Sequence, residues 1–141
     1  MEYLYICLLN VLLILKRSMK AILVVFLGGG IGAVIRFLIS KGTFYFYEGN
    51  FPLGTFISNT ISCVIVGALV YLLAMKTNFE RNMSLFIITG ICGGLSTFST
   101  FSYETVELLR QGFWSVALLN VLLSLVVGMV IMFAFYYKSI T

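Results

Sequence analysis

Apolar residues along this chain gather into four runs of membrane-spanning length, separated by short polar stretches. The runs are Ala21 to about Ser40, Pro52 to about Met75, Met83 to about Arg110, and Trp114 to Lys138. Crossing the hydrocarbon of a bilayer takes roughly 20 apolar residues in helical form. The pattern therefore predicts four transmembrane helices joined by short connections. A shorter run, Met1 to Leu15, precedes them and ends in Lys16-Arg17-Ser18-Met19-Lys20. It is too short to span comfortably, and its charges follow the apolar stretch, the wrong order for a signal peptide. Residues 1–18 read as an extension, either absent from the native protein, with Met19 as the translation start, or lying in the membrane interface. Residues 19–141 form the core domain.

Polar and small residues inside these runs carry the information about function. In the first, Gly28-Gly29-Gly30-Ile31-Gly32 places Gly28 and Gly32 at GxxxG spacing, a face for close helix approach. Arg36 follows, either reaching the interface or lining a wet vestibule. The aromatics Phe44 to Tyr47 then suit an interfacial belt or a short amphipathic helix. In the second run, Pro52 suits a first-turn position, and Gly54, Ser58 and Ser62 repeat at four-residue spacing. Asn59 lies beside that face, as interhelical glue or as a pore-lining amide. The fourth run carries Asn120, Ser124 and Gly128 at the same spacing.

The third run is the unusual one. Gly90-Ile91-Cys92-Gly93-Gly94-Leu95-Ser96-Thr97-Phe98-Ser99-Thr100-Phe101 sets three glycines and four hydroxyl side chains in twelve residues of an otherwise apolar segment. Glycine weakens a helix by roughly 1 kcal/mol against alanine, and Ser and Thr compete for backbone hydrogen bonds. A backbone group freed within hydrocarbon must find a partner in protein, water or an ion. A broken third helix is expected here, and with it a binding or conduction site. Tight packing of a Gly/Ser-rich helix is the plainer alternative. Glu104 and Glu107, three residues apart, share a face further on.

Composition narrows the classes. The chain has 141 residues, 61% hydrophobic and 10% charged, against about 25% charged in soluble domains. This is an integral, multi-pass membrane protein without room for a separate soluble domain. The net charge of +4 is scattered and gives no nucleic-acid footprint. With no histidine, imidazole acid–base chemistry and imidazole metal ligation are unavailable. Cys7, Cys63 and Cys92 lie far apart without metal-ligand spacing and read as apolar packing residues. Nothing resembles a catalytic constellation, so an enzyme is not expected. Lys20, Lys76, Arg81 and Lys138 on one side outnumber Lys41 and Arg110 on the other, a slight topological bias.

Three segments together resemble the Fluc (CrcB-type) fluoride channel family: GGGIGAVIRF (Gly28 to Phe37), PLGTFISN (Pro52 to Asn59) and GICGGLSTFSTFSYE (Gly90 to Glu104). Ser96 stands where the family usually has Thr, and Phe37 where Tyr is common. The resemblance implies an all-α membrane protein assembled as an antiparallel, dual-topology-type dimer, with an identical or a paralogous partner. It implies passive, fluoride-selective export across the cell membrane, limiting fluoride toxicity. Backbone carbonyls of Gly93 and Ser96 from both subunits would hold a structural Na⁺. Phe98, Phe101, Asn59, Ser99, Thr100 and Ser124 would form the fluoride pathway, with Arg36 towards an entrance. The rival is a small dual-topology multidrug or cation transporter, which needs a carboxylate near mid-membrane. The roles of Asn120, Glu104 and Glu107 are left open.

Overall fold

The computed structural model describes residues 2–75 and 80–140, with side chains from Ser18 onward. Lys76, counted above on the more basic side, lies outside the described residues. Every regular element among the described residues is helical. Among the described residues, four segments are long and apolar enough to cross a membrane: Ser18–Phe46, Leu53–Ala74, Arg81–Arg110 and Trp114–Ile140.

Helix α1 runs from Glu2–Phe46 without interruption. The first apolar run and the first span are thus one helix rather than two segments. The reason is local. Residues 16–20, though polar, are helix-compatible, and no glycine or proline punctuates them. At about 1.5 Å per residue the helix is roughly 68 Å long, more than twice the hydrocarbon thickness. It also absorbs Phe44, Tyr45 and Phe46, so these aromatics form its last turn and not a separate connector helix.

Helix α2, Leu53–Ala74, begins directly after Pro52, which occupies the N-cap. The Phe56 N–H donates to the Pro52 carbonyl at 3.0 Å. Its small-residue stripe is the packed face: Gly54, Ser58 and Ser62 are all buried. A methyl group on Gly54 would sit 2.9 Å from the Ser40 Cα, so α1 and α2 meet backbone to backbone there.

The third span has two parts. Helix α3 covers residues 81–95, and its middle, Leu85–Cys92, is wound in wider π-type turns. Helix α4 is Phe98–Arg110. The glycines of α1 and α3 face each other: a methyl on Gly28 would lie 2.9 Å from the Gly90 Cα. One on Gly32 would press the Ile91 carbonyl, and one on Gly94 the Gly29 carbonyl. The GxxxG face therefore serves α1 against α3, where absent side chains let two backbones touch. Helix α4 ends in a Schellman motif. Gly112, at φ 84°, donates its N–H to Leu109, and Phe113 donates to Leu108. Helix α5, Trp114–Ile140, returns across the membrane and packs mainly on α2.

Candidate functional site

Ser96 and Thr97 separate α3 from α4 with extended backbone, at φ/ψ of −76°/151° and −152°/116°. Two side chains hold this break. The Thr97 N–H donates to Asn59 Oδ1 at 2.8 Å, a bond between residues 38 apart in sequence. Thr97 Oγ1 caps α4: it accepts the Thr100 N–H at 3.2 Å and donates to Thr100 Oγ1 at 3.0 Å. Ser99 Oγ lies 3.2 Å from the same oxygen. On the other side of the break, both the Ser96 N–H and its Oγ donate to the Cys92 carbonyl, at 2.9 and 2.7 Å, and close α3.

These bonds have a consequence for the carbonyls. In a continuous helix, the Thr97 N–H would donate to Gly93 and the Thr100 N–H to Ser96. Both donors are committed elsewhere, to Asn59 and to Thr97 Oγ1. The carbonyls of Gly93 and Ser96 thereby lose their helical partners. Gly93 is also exposed and carries no side chain to shield its oxygen. The break thus presents a carbonyl end of α3, suited to a cation, and the N-terminal end of α4, suited to an anion.

A cavity of about 460 Å³ opens beside the break. It brings together Asn59, Gly93, Ser96, Phe98, Phe101 and Ser124 from three of the spans. Ser99 and Thr100 stand next to it as cap partners of Thr97. Arg36 is half-buried on α1, outside this lining. No charged side chain lines the cavity among the described residues. The polar groups are neutral, and two of them, Ser62 Oγ and Ser124 Oγ, are buried without a protein hydrogen-bond partner. The rings of Phe98 and Phe101 lie 6.1 Å apart at 35°, and Phe98 is 81% exposed on the single chain.

Behind Phe101 a relay fixes the backbone. Asn120, only 1% exposed, donates from Nδ2 to Thr105 Oγ1 at 2.9 Å. Thr105 Oγ1 donates in turn to the Phe101 carbonyl at 2.7 Å. Sequence reading missed Thr105, Thr97 as the cap, and Ser62 as a cavity hydroxyl. The signal was present for Thr97, a threonine three residues before another hydroxyl in a glycine-broken helix. For Thr105 there was none, since its partner lies on another helix.

The two acidic residues separate. Glu104 lines a second cavity of about 340 Å³ with Thr55, Ser40, Thr43 and Glu48. Glu107 is tied to its own helix end, by Arg110 at 3.4 Å and Gln111 at 2.9 Å. No cluster of three or more His, Cys, Asp or Glu exists among the described residues.

Residues 23–136 match the family described as CrcB-like protein, Camphor Resistance (CrcB). The chain belongs to the CrcB family. Curated CrcB relatives are similar over most of their length. The fluoride-specific ion channel FluC of Pyrococcus abyssi is 43% identical, across 82% of this chain and 93% of its own. The FluC of Phocaeicola vulgatus is 37% identical, across 78% and 90%. That of Clostridium perfringens is 43% identical, across 73% and 80%. The CrcB match takes in the whole break, the cavity and the Asn120 relay, and it begins after the first eighteen residues.

Proposed function

We propose that this chain is the subunit of a fluoride-selective channel of the cell membrane, working by passive flow. Two oppositely oriented copies form the working unit, and each pore takes residues from both. The observation that carries the reading is the Ser96–Thr97 break, which sets Phe98 and Phe101 beside neutral donors in a cavity, within a chain akin to FluC channels.

Fluoride is small and strongly hydrated, so a selective pore must replace its water with closely placed donors. It must also avoid a fixed cation that would hold the ion too long. Asn59 fits this need in a specific way. Its Oδ1 is bound by Thr97, so its Nδ2 is left as the free end and can donate only. Ser62 and Ser124 add unpartnered hydroxyls, and the Phe98 and Phe101 rings can turn positive edges to an anion. Ser99 and Thr100 add hydroxyls at the start of α4, whose dipole favours negative charge. Arg36, kept away from the cavity, acts towards an entrance.

The exposed Gly93, Phe98 and Ser99 are covered when a second copy packs on this face. The carbonyls of Gly93 and Ser96 from both copies then converge. Freed, uncharged and hard, they fit Na⁺. When bound, sodium supplies positive charge near the anion path and joins the subunits.

Protein reconstituted in liposomes tests the reading. A fluoride gradient should discharge passively and far faster than a chloride gradient. Proton-coupled movement of an organic cation would instead favour the transporter, with Glu104 as its carboxylate. Absence of any flux would reject both.

A further inference from the structure

Three sulfur side chains on three helices line the cavity that the fluoride reading uses: Cys63 on α2, Cys92 on α3 and Met132 on α5. Their placement is not scattered. A methyl on Gly128 would touch Cys63 Sγ at 3.5 Å, so the Cys63 thiol sits against α5 at that point. Met132 lies one turn further along the same face of α5, on a side chain with three rotatable bonds. Cys63 and Cys92 face the same cavity from α2 and α3. Neither forms a disulfide. Beside Cys63, the Ser62 hydroxyl is buried, 4% exposed as a residue, and unpartnered.

Two thiolates and a thioether are a soft donor set. Such ligands select monovalent cations of the Cu(I) and Ag(I) class, which two or three sulfurs satisfy. Hard cations prefer oxygen and would pass this set by.

We propose that Cys63, Cys92 and Met132 form a binding site for one soft monovalent cation, and that its occupation closes the cavity to anions. On binding, the two thiols lose their protons to solvent, and two metal–thiolate bonds and one metal–thioether bond form. The resulting bis-thiolate complex carries a net charge of −1. Placed in the cavity lining, that negative charge repels fluoride. The blocking half of this inference rests on the channel reading, whereas the binding half stands without it.

Silver is a suitable probe because it has no accessible redox change. Purified protein carrying Cys7→Ser, in chloride-free buffer, should retain one Ag⁺ per chain after desalting, read by elemental mass spectrometry. Adding Cys63→Ser and Cys92→Ser should remove at least nine-tenths of it. Met132→Leu should leave binding but weaken it about tenfold. In liposomes, Ag⁺ should slow fluoride efflux at least tenfold, and dithiothreitol should restore it. If the triple variant fails to fold, protection of Cys63 and Cys92 from alkylation by bound Ag⁺ gives the same information in Cys7→Ser protein. Silver retention unchanged without the two thiols, or no protection from alkylation, overturns the site. Full binding with unchanged fluoride efflux overturns the block. Protein that moves no fluoride before silver is added sinks the channel reading instead, while the binding result still decides the metal site.

Discussion

Replacing Asn59 by alanine removes the acceptor that holds the Thr97 N–H at 2.8 Å. Thr97 is only 8% exposed, so water does not readily take the place of the lost carboxamide. A buried donor left unpaired costs about 1–3 kcal/mol. The break is therefore destabilised by that order, equivalent to about 5- to 150-fold in the population of the native geometry. Amide hydrogen exchange at Thr97 in detergent reads this directly. Protection should fall by that factor in Asn59→Ala. Asn59→Asp separates structure from conduction, because it keeps an acceptor for Thr97 while adding negative charge. Protection should therefore stay near wild type. A unit charge about 4 Å from fluoride at an effective dielectric of about 20 repels it by roughly 4 kcal/mol. Flux should drop by about three orders of magnitude when the aspartate is ionised, and acidification should relieve the loss by neutralising it. Unchanged Thr97 protection in Asn59→Ala would refute the reasoning.

Further predictions concern the scaffold and the ion. Gly28→Ala forces a methyl to 2.9 Å from the Gly90 Cα, where backbone cannot yield, and should cost about 1–3 kcal/mol in detergent thermal stability. Gly42→Ala meets open space and should be neutral or stabilising by up to about 1 kcal/mol in the same assay. Asn120→Leu breaks the relay through Thr105 to the Phe101 carbonyl, so stability should fall by about 1–3 kcal/mol and fluoride flux with it. Replacing Na⁺ by N-methylglucamine on both sides of the membrane should lower flux, and adding Na⁺ back should restore it.

Much of this was legible in the chain. The four spans follow from apolar run length alone, and the last apolar run and helix α5 both start at Trp114. The glycines of the third span were harder to read. Gly90 and Gly94 weaken a helix on paper, yet in the fold they remain helical and let α1 approach. The interruption falls on Ser96 and Thr97, whose side chains and long-range partner outcompete the helix. Asn59 had two sequence readings, glue or pore amide. The geometry ties the oxygen to Thr97 in a residue that also lines the cavity. No spacing rule could reveal this, because the bond joins positions 59 and 97. The full length of α1 was missed for a different reason: charged residues interrupt hydropathy without interrupting helical propensity.

Fluoride efflux from liposomes bearing Phe98→Ile or Phe101→Ile, beside wild type, bears most directly on the assignment of these rings to the anion path. Each variant should remain an assembled dimer by crosslinking while its efflux falls at least tenfold. Wild-type efflux from both assembled variants would contradict the account.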